Sequence, residues 1–193
     1  MSHVETERAM VRVPPGTWTI DPIHSSVGFK IKHMMIATVR GQFTEFEGTI
    51  VAAEDDPANS HVSGSVEVAS IDTANADRDA HLRSPDFFDA ERYPQITFES
   101  TRIRHIDGGR FAVAGNLTIK GITREVELQA TVEGADTDPW GMERVGISAR
   151  GAINRTDFGL TWQQRLAAGG LLVGEEVAIS VDISAVRVRG ADS

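Results

Sequence analysis

Cysteine and long apolar runs are both missing from this chain of 193 residues. The absence of cysteine excludes a disulfide framework and a thiolate metal site. No apolar run approaches the roughly 18 residues that a membrane-spanning helix needs. The segment before Pro14 also shows no apolar stretch of the kind found in secretory signals. We therefore expect a soluble, cytoplasmic protein that is not an integral membrane protein.

Positive charge is also scarce, because 19 Lys and Arg residues stand against 28 Asp and Glu residues, for a net charge of -9. Nucleic acids are bound by clustered cations, so we expect no nucleic-acid partner. The same net charge disfavours adsorption to an anionic membrane face. At this length we expect one domain over residues 16–189, preceded by a flexible N-terminal leader over residues 1–15.

Strict alternation of apolar and polar residues fills most of the chain. Such a period of two is typical of half-buried antiparallel strands. Eight strands of this kind can close into a barrel whose interior holds one small ligand. The sequence thus predicts an all-β fold, an extended eight-stranded antiparallel β-barrel with one or two short helical segments. The predicted strands cover about 25–33, 38–53, 61–70, 95–105, 110–120, 122–134, 143–154 and 175–189.

Glycine repeatedly occupies the apolar face of these strands. Gly48, Gly64, Gly115 and Gly151 share the phase of the apolar residues around them. An inward glycine removes side-chain volume from the interior, so we expect free space in the barrel. The apolar phase slips between Val39 and Ile50, which predicts a bulge or sharp bend. For that reason Gly64, Gly115 and Gly151 are the favoured cavity positions.

A polar segment, 71–94, breaks the strand pattern and predicts one or two helical turns. Asn75 or Asp77 can cap the first turn, and Ser84 stands where a second would begin. Asp77, Asp79 and His81 offer oxygen and nitrogen donors, but their spacing matches no zinc signature. We therefore interpret this segment as a helix cap with a solvated loop, and we expect no metal.

Five motifs closely resemble the YceI-like family of lipocalin-like, polyisoprenoid-binding bacterial proteins. They are 18-WTIDPIHSSVGFKIKH-33, 78-RDAHLRSPDFFD-89, 93-YPQITFES-100, 115-GNLTIKGITREV-126 and 155-RTDFGL-160. They occur in the family's order, and the resemblance extends over nearly the whole chain. It implies a lipocalin-like barrel that holds an isoprenoid quinone or a polyprenyl phosphate in an apolar tunnel. Many members are periplasmic, a location from which the N-terminus of this chain departs.

The candidate site consists of the inward apolar residues of the predicted strands and of two aromatic residues at one end. The function expected is binding, storage or transport of the lipid without covalent chemistry, and no further cofactor is required. Arg155, Asp157 and His33 are candidates for the polar headgroup; Arg155 and Asp157 could equally be an ion pair that fastens a loop. The candidate lipid-binding residues are Phe29, Ile31, Val66, Phe98, Phe111, Val113, Leu117, Val126, Leu128, Ile147, Ile153, Phe158, Trp162 and Ile179.

Two alternatives belong to other classes of protein. In the first, the barrel is a structural or interaction module that is filled by its own side chains. In the second, it is an enzyme that acts on a bound lipid, which requires His24 or His33 to face the cavity. Because no catalytic motif accompanies these histidines, we expect no catalytic residues. The oligomeric state is not fixed by the sequence, and a homodimer is one option.

Overall fold

Residues 9–190 are described by the computed structural model, and within them strands dominate. The alternating segments of the sequence form eleven strands, and one helix, α1, lies in the polar segment. The strands are β1 (Gly16–Ile20), β2 (Ser26–His33), β3 (Ala37–Phe43), β4 (Phe46–Ala52), β5 (His61–Glu67), β6 (Ile71–Asp72), β7 (Gln95–Asp107), β8 (Arg110–Ile119), β9 (Ile122–Thr137), β10 (Glu143–Asn154) and β11 (Val173–Arg187); α1 is Ala76–Arg83.

All the strands of residues 9–190 join one antiparallel sheet in the order β1-β4-β5-β7-β8-β9-β10-β11-β2-β3-β6, and β1 also pairs with β11. This last pairing closes the sheet into a barrel and removes its free edges. The pairs β1–β2 and β3–β4 each behave as one bent strand, and β6 continues β5 after a 3₁₀ turn. The barrel of residues 9–190 therefore has eight walls, as predicted.

The bend predicted between Val39 and Ile50 lies at Thr44 and Glu45, between β3 and β4. β3 pairs with β2 and β6, whereas β4 pairs with β1 and β5. The slip in apolar phase thus marks the point at which the segment stops pairing with β2 and β6 and begins to pair with β1 and β5. The sequence predicted one strand over residues 38–53, whereas the structure has two strands there, β3 and β4.

The polar segment forms one helix, in agreement with the one or two helical turns predicted. Asn75 caps α1 by accepting a hydrogen bond from the Arg78 amide at 2.9 Å. Ser84 ends the helix: its amide and its hydroxyl both donate to the His81 carbonyl, at 3.1 and 2.6 Å. The prediction that Ser84 opens a second helix is therefore wrong, since residues 85–92 form turns.

The predicted leader lies partly outside the described residues, because nothing is described before residue 9. Residues 11–14, in contrast, are attached to the barrel. The Val11 amide donates to the Gly108 carbonyl at 2.9 Å, and the Arg12 guanidinium donates to the Ala53, Glu54 and Asp55 carbonyls. The Pro14 carbonyl accepts from the Trp18 indole at 2.9 Å. These residues cover one end of the barrel and are not a free leader.

The covered end of the barrel contains the main hydrophobic core, which we call the filled end. Trp18 is 1% exposed there and packs with inward residues of seven strands. No helix within residues 9–190 is long and apolar enough to cross a membrane. The buried members of this core are Trp18, Ile50, Ala52, Ile103, Phe111, Val132, Val145 and Ala185.

Candidate functional site

The rest of the barrel interior is hollow, with a cavity of about 510 Å³. Its walls are the inward residues of the long strands, which alternate with outward polar residues because side chains on a strand point to opposite faces. We call this half of the barrel the cavity end. The apolar lining includes Phe29, Ile31, Val39, Phe43, Phe46, Val66, Phe88, Ile96, Phe98, Val126, Leu128, Ile153, Val177, Ile179 and Val181.

Most of the predicted lipid-binding residues line this cavity. Two do not line it, and we correct both. Phe111 faces inward but belongs to the filled end, where it lines a separate void of about 90 Å³. Phe158 is 1% exposed and is packed into the wall beside the cavity. Those that line the cavity are Phe29, Ile31, Val66, Phe98, Val113, Leu117, Val126, Leu128, Ile147, Ile153, Trp162 and Ile179.

The sequence predicted that Gly64, Gly115 and Gly151 face open space, and for Gly115 and Gly151 this is wrong. A Cβ added at Gly115 would clash with the Phe98 ring and lie 2.7 Å from the Glu99 carbonyl oxygen. At Gly151 it would lie 2.5 Å from Leu128. A side chain from the neighbouring strand therefore covers each of these two glycines. Among the three favoured positions, Gly64 lines the cavity directly.

Arg155 and Asp157, two of the three headgroup candidates, lie in different environments in the structure. Arg155 is 3% exposed and donates to the carbonyls of Gly174, Leu160 and Trp162 at 2.8, 2.5 and 2.9 Å. Burial lowers the pKa of its guanidinium, and Glu175 opposes this shift. Asp157 is exposed and is not part of the cavity lining. The alternative of an Arg155–Asp157 ion pair is wrong, because Nε and both Nη atoms of Arg155 donate to backbone carbonyls. Arg155 does fasten the loop, through backbone oxygens.

The histidines also separate. His33 lines the cavity near its open end, as the alternation on β2 predicted. His24 lies outside the cavity and contacts Asp21 at 2.7 Å through Nδ1. The ring of His33 makes no hydrogen bond with another side chain of residues 9–190.

The sequence did not indicate that α1 and the turn before it bring polar residues to the cavity. The Arg78 guanidinium donates to the Thr73 hydroxyl and carbonyl, both at 2.7 Å. His81 contacts Asp86 at 2.9 Å and meets the Trp162 ring edge-on, with centroids 4.9 Å apart. Arg78, Thr73 and His81 all line the cavity. The motif 78-RDAHLRSPDFFD-89 carried this signal, but its polarity indicated only a solvated loop.

No group of acidic and histidine side chains in residues 9–190 is arranged to hold a metal ion. Asp79, a member of the string considered above, instead accepts hydrogen bonds from the Thr73 amide and hydroxyl at 2.9 and 2.5 Å. This carboxylate fixes the turn before α1. It thereby places Arg78 and His81 at the cavity.

A closed antiparallel barrel with an apolar interior cavity defines a lipocalin-like binding barrel. The sequence profile of the YceI-like domain matches residues 18–185, and the chain therefore belongs to the YceI-like family. It is 40% identical to Protein YceI of Escherichia coli O157:H7 over 137 residues, which cover 71% of each chain.

Solved structures show the same fold. The crystal structure of Burkholderia cenocepacia BcnA matches with a TM-score of 0.75 and 25% identity, covering 86% of this chain and 98% of that one. A polyisoprenoid binding domain from Saccharophagus degradans, described as implicated in plant cell wall breakdown, matches with a TM-score of 0.69. That likeness covers 89% of this chain and 98% of the other, and its 14% identity speaks for the fold alone.

Proposed function

We propose that this protein binds an amphiphilic isoprenoid lipid, such as an isoprenoid quinone or a polyprenyl phosphate, and stores or carries it. The observation that carries the proposal is the cavity of about 510 Å³ with an almost wholly apolar lining. This volume lies within the roughly 300–1,000 Å³ of small-molecule sites. A polyisoprenoid-binding domain of the same fold supports the choice of ligand class.

Burial of an apolar chain supplies the binding free energy without polar recognition. Each buried CH₂ contributes about 0.8 kcal/mol, so a five-carbon isoprene unit contributes at most roughly 3–4 kcal/mol. The ordering of a flexible chain offsets part of this gain. A few units are therefore enough for tight binding, and the ligand undergoes no covalent change.

The polar groups at the cavity end are the candidates for the lipid's headgroup. His33, His81 and Arg78 line the cavity, and Lys32 lies beside them. A cation suits a phosphate, and an imidazole suits either a phosphate or a quinone oxygen. Arg155 is not free for this role, because its Nε and both Nη atoms donate to backbone carbonyls. Arg78 uses only Nε and Nη2, on Thr73, which leaves Nη1 for a headgroup. The hollow interior argues against a barrel filled by its own side chains.

The test is extraction of the gently purified protein with organic solvent, followed by mass spectrometry, together with uptake of an added polyprenol or quinone. Ile179→Trp places a larger side chain in the cavity and should reduce uptake. Ile23→Trp is the matched control, because Ile23 is 85% exposed outside the barrel. A protein that contains no lipid and takes up neither probe would overturn the proposal. Equal uptake by both variants would also overturn it.

A further inference from the structure

One surface at the cavity end is apolar, exposed and unlike the rest of this acidic chain. The turn between β2 and β3 presents Met34, Met35 and Ile36, which are 40%, 61% and 81% exposed. The loop of residues 163–172 lies beside it: the Met34 amide donates to the Leu172 carbonyl at 2.8 Å. We call these two segments together the apolar tip. Contiguous exposed apolar surface of this kind marks an interaction site.

The backbone of the turn holds these side chains outward at a conformational cost. Met34 and Met35 have φ values of 54° and 60°, in the left-handed region that glycine and asparagine adopt most readily. The commonest sequence for a turn with two such positions is Asn-Gly. Two methionines in their place are unfavourable for folding, which indicates that their side chains serve an interaction.

The two chain segments that contain the apolar tip carry charge of the opposite sign to that of the whole chain. Residues 22–44 and 158–174 contain no Asp or Glu, although the chain carries 28 of them. Their charged residues are Lys30, Lys32, Arg40 and Arg165. The nearest acids in the fold are Glu175 and Glu176, in the irregular part of β11 between the partners of His33 and Ile31. These two carboxylates offset part of the positive charge of the four cations.

Two of these cations oppose each other. Lys30 on β2 and Arg40 on β3 are direct partners in the antiparallel register, and both are exposed. Like charges in that position destabilise a sheet. An anionic partner would remove this repulsion. The hairpin therefore combines apolar residues at its end with paired cations along its outer face.

The apolar tip also adjoins the cavity. Lys32 and His33 precede the turn, Leu172 and Val173 end the neighbouring loop, and all four line the cavity. A ligand that enters here passes the exposed methionines first. The position of the tip thus connects the surface on which the protein would dock with the interior in which the ligand would lie.

We infer that the apolar tip docks on an anionic lipid bilayer, with Met34, Met35 and Ile36 entering the headgroup region and the cations contacting anionic headgroups. Amphiphilic lipids reside in bilayers, so docking brings the cavity to its ligand. The net charge of -9 opposes adsorption of the chain as a whole, but screening within about 10 Å leaves the local cations dominant at the tip. The inference rests on the proposed function for its purpose, whereas its test needs no bound ligand.

The test is flotation of the purified protein with vesicles of phosphatidylcholine alone and of phosphatidylcholine mixed with phosphatidylglycerol. We expect binding to the anionic vesicles that weakens as salt increases. M34N/M35G should reduce this binding about tenfold or more, because it removes two apolar side chains from the contact. Asn-Gly suits the turn, so this variant should fold at least as well as the original chain. K30Q/R40Q should reduce binding to anionic vesicles about fivefold per cation removed.

Trp140→Ser is the matched control, because Trp140 is 82% exposed and lies in the turn between β9 and β10, away from the tip. It should leave vesicle binding unchanged. The inference is overturned if the protein does not bind vesicles, or if the control loses as much vesicle binding as the tip variants. A protein that does not bind vesicles but forms a dimer that M34N/M35G abolishes would also overturn it. Uptake of a polyprenol delivered from cyclodextrin separates the two proposals. Uptake without vesicle binding overturns the docking alone, and failure of uptake overturns the proposed function.

Discussion

The two halves of the barrel share one alternating pattern and differ in what fills them. At the filled end, Trp18 closes the interior, its indole donates to the Pro14 carbonyl, and Arg187 lies 4.7 Å from the centre of its ring. At the cavity end, the rings of Phe29 and Phe98 cover Gly41 and Gly115 on the neighbouring strands. Aromatic side chains thus fill one half and only cover the walls of the other. Alternation of apolar and polar residues defines the walls of a barrel. Whether its interior is empty depends on the N-terminal segment that covers one end and on the positions of the aromatic rings.

Replacement of a tryptophan by alanine at each end should give the largest difference in stability between the two ends. Trp18→Ala removes a fully buried ring from a packed core and should lower the free energy of unfolding by about 3–5 kcal/mol. Trp162→Ala removes a ring that already borders empty space and should cost about 1–2 kcal/mol. Urea denaturation measures both values. Equal losses would mean that the cavity end is packed as tightly as the filled end.

Arg155 tests how the irregular loop is held over the cavity end. Arg155→Lys leaves buried carbonyls without donors and should cost about 2–3 kcal/mol. Amide hydrogen exchange should accelerate in residues 159–174 and stay unchanged at the filled end. Arg150→Lys, at an exposed arginine that pairs with Asp182, is the control and should alter neither quantity. A uniform acceleration over the whole barrel would contradict a local role in the loop.

The inward glycines offer a smaller test. Gly115→Ala meets both the Phe98 ring and the Glu99 backbone carbonyl, and should cost about 2 kcal/mol. At Gly41 the three nearest atoms all belong to the Phe29 ring, which can move into the cavity. Gly41→Ala should therefore cost about 1 kcal/mol or less, and should reduce ligand uptake. The two variants are compared by urea denaturation, and a larger loss at Gly41 would contradict this order.

The smallest expected effect is a pH dependence of the free energy of unfolding, which arises from Asp21 beside the filled end. The hydrogen bonds of Asp21 to His24 and then to Arg144 lower the pKa of its carboxyl from 3.8 to about 2. A lowered pKa in the folded protein adds stability above the unfolded value, and this stability is lost as the pH falls from about 4 towards 2. Because solvent partly screens these pairs, the expected contribution is about 1 kcal/mol.

Asp21→Asn should therefore be less stable than the original chain near about pH 6, and the difference should shrink towards about pH 3. Urea titrations at several pH values measure this change. A difference that stays constant with pH would assign the effect to the geometry of the turn instead of the charge. Asp182→Asn, in an exposed pair with Arg150, is the matched control.

Much of the fold could be predicted from the sequence because burial on one face of a strand imposes a period of two. Residues 143–154 were predicted with the bounds that the structure gives to β10. The bend at Thr44 and Glu45 was visible as a slip in the apolar phase. The turn at Lys120 and Gly121 was visible as a break between two alternating runs, and both residues have positive φ.

The filling of the interior could not be predicted in the same way. Alternation shows that Phe111 and Phe98 both point inward, but not that one lies in a core and the other along a cavity. That difference depends on contacts between residues far apart in the chain, such as Phe98 with Gly115. Arg155 was predicted as a headgroup candidate, but its role in holding the loop was not foreseen, because its backbone acceptors follow it in a loop that has no periodic pattern. The polar residues of α1 were missed for the same reason.

The central claim is that the apolar ligand occupies the cavity end and not the filled end. Two single-tryptophan proteins test this claim: W18F/W140F keeps Trp162 in the cavity lining, and W140F/W162F keeps Trp18 in the filled end. Each is titrated with an isoprenoid quinone, which quenches a nearby indole on contact. We predict saturable quenching of Trp162 and no quenching of Trp18. Equal quenching of the two indoles, or quenching of neither, would contradict the account.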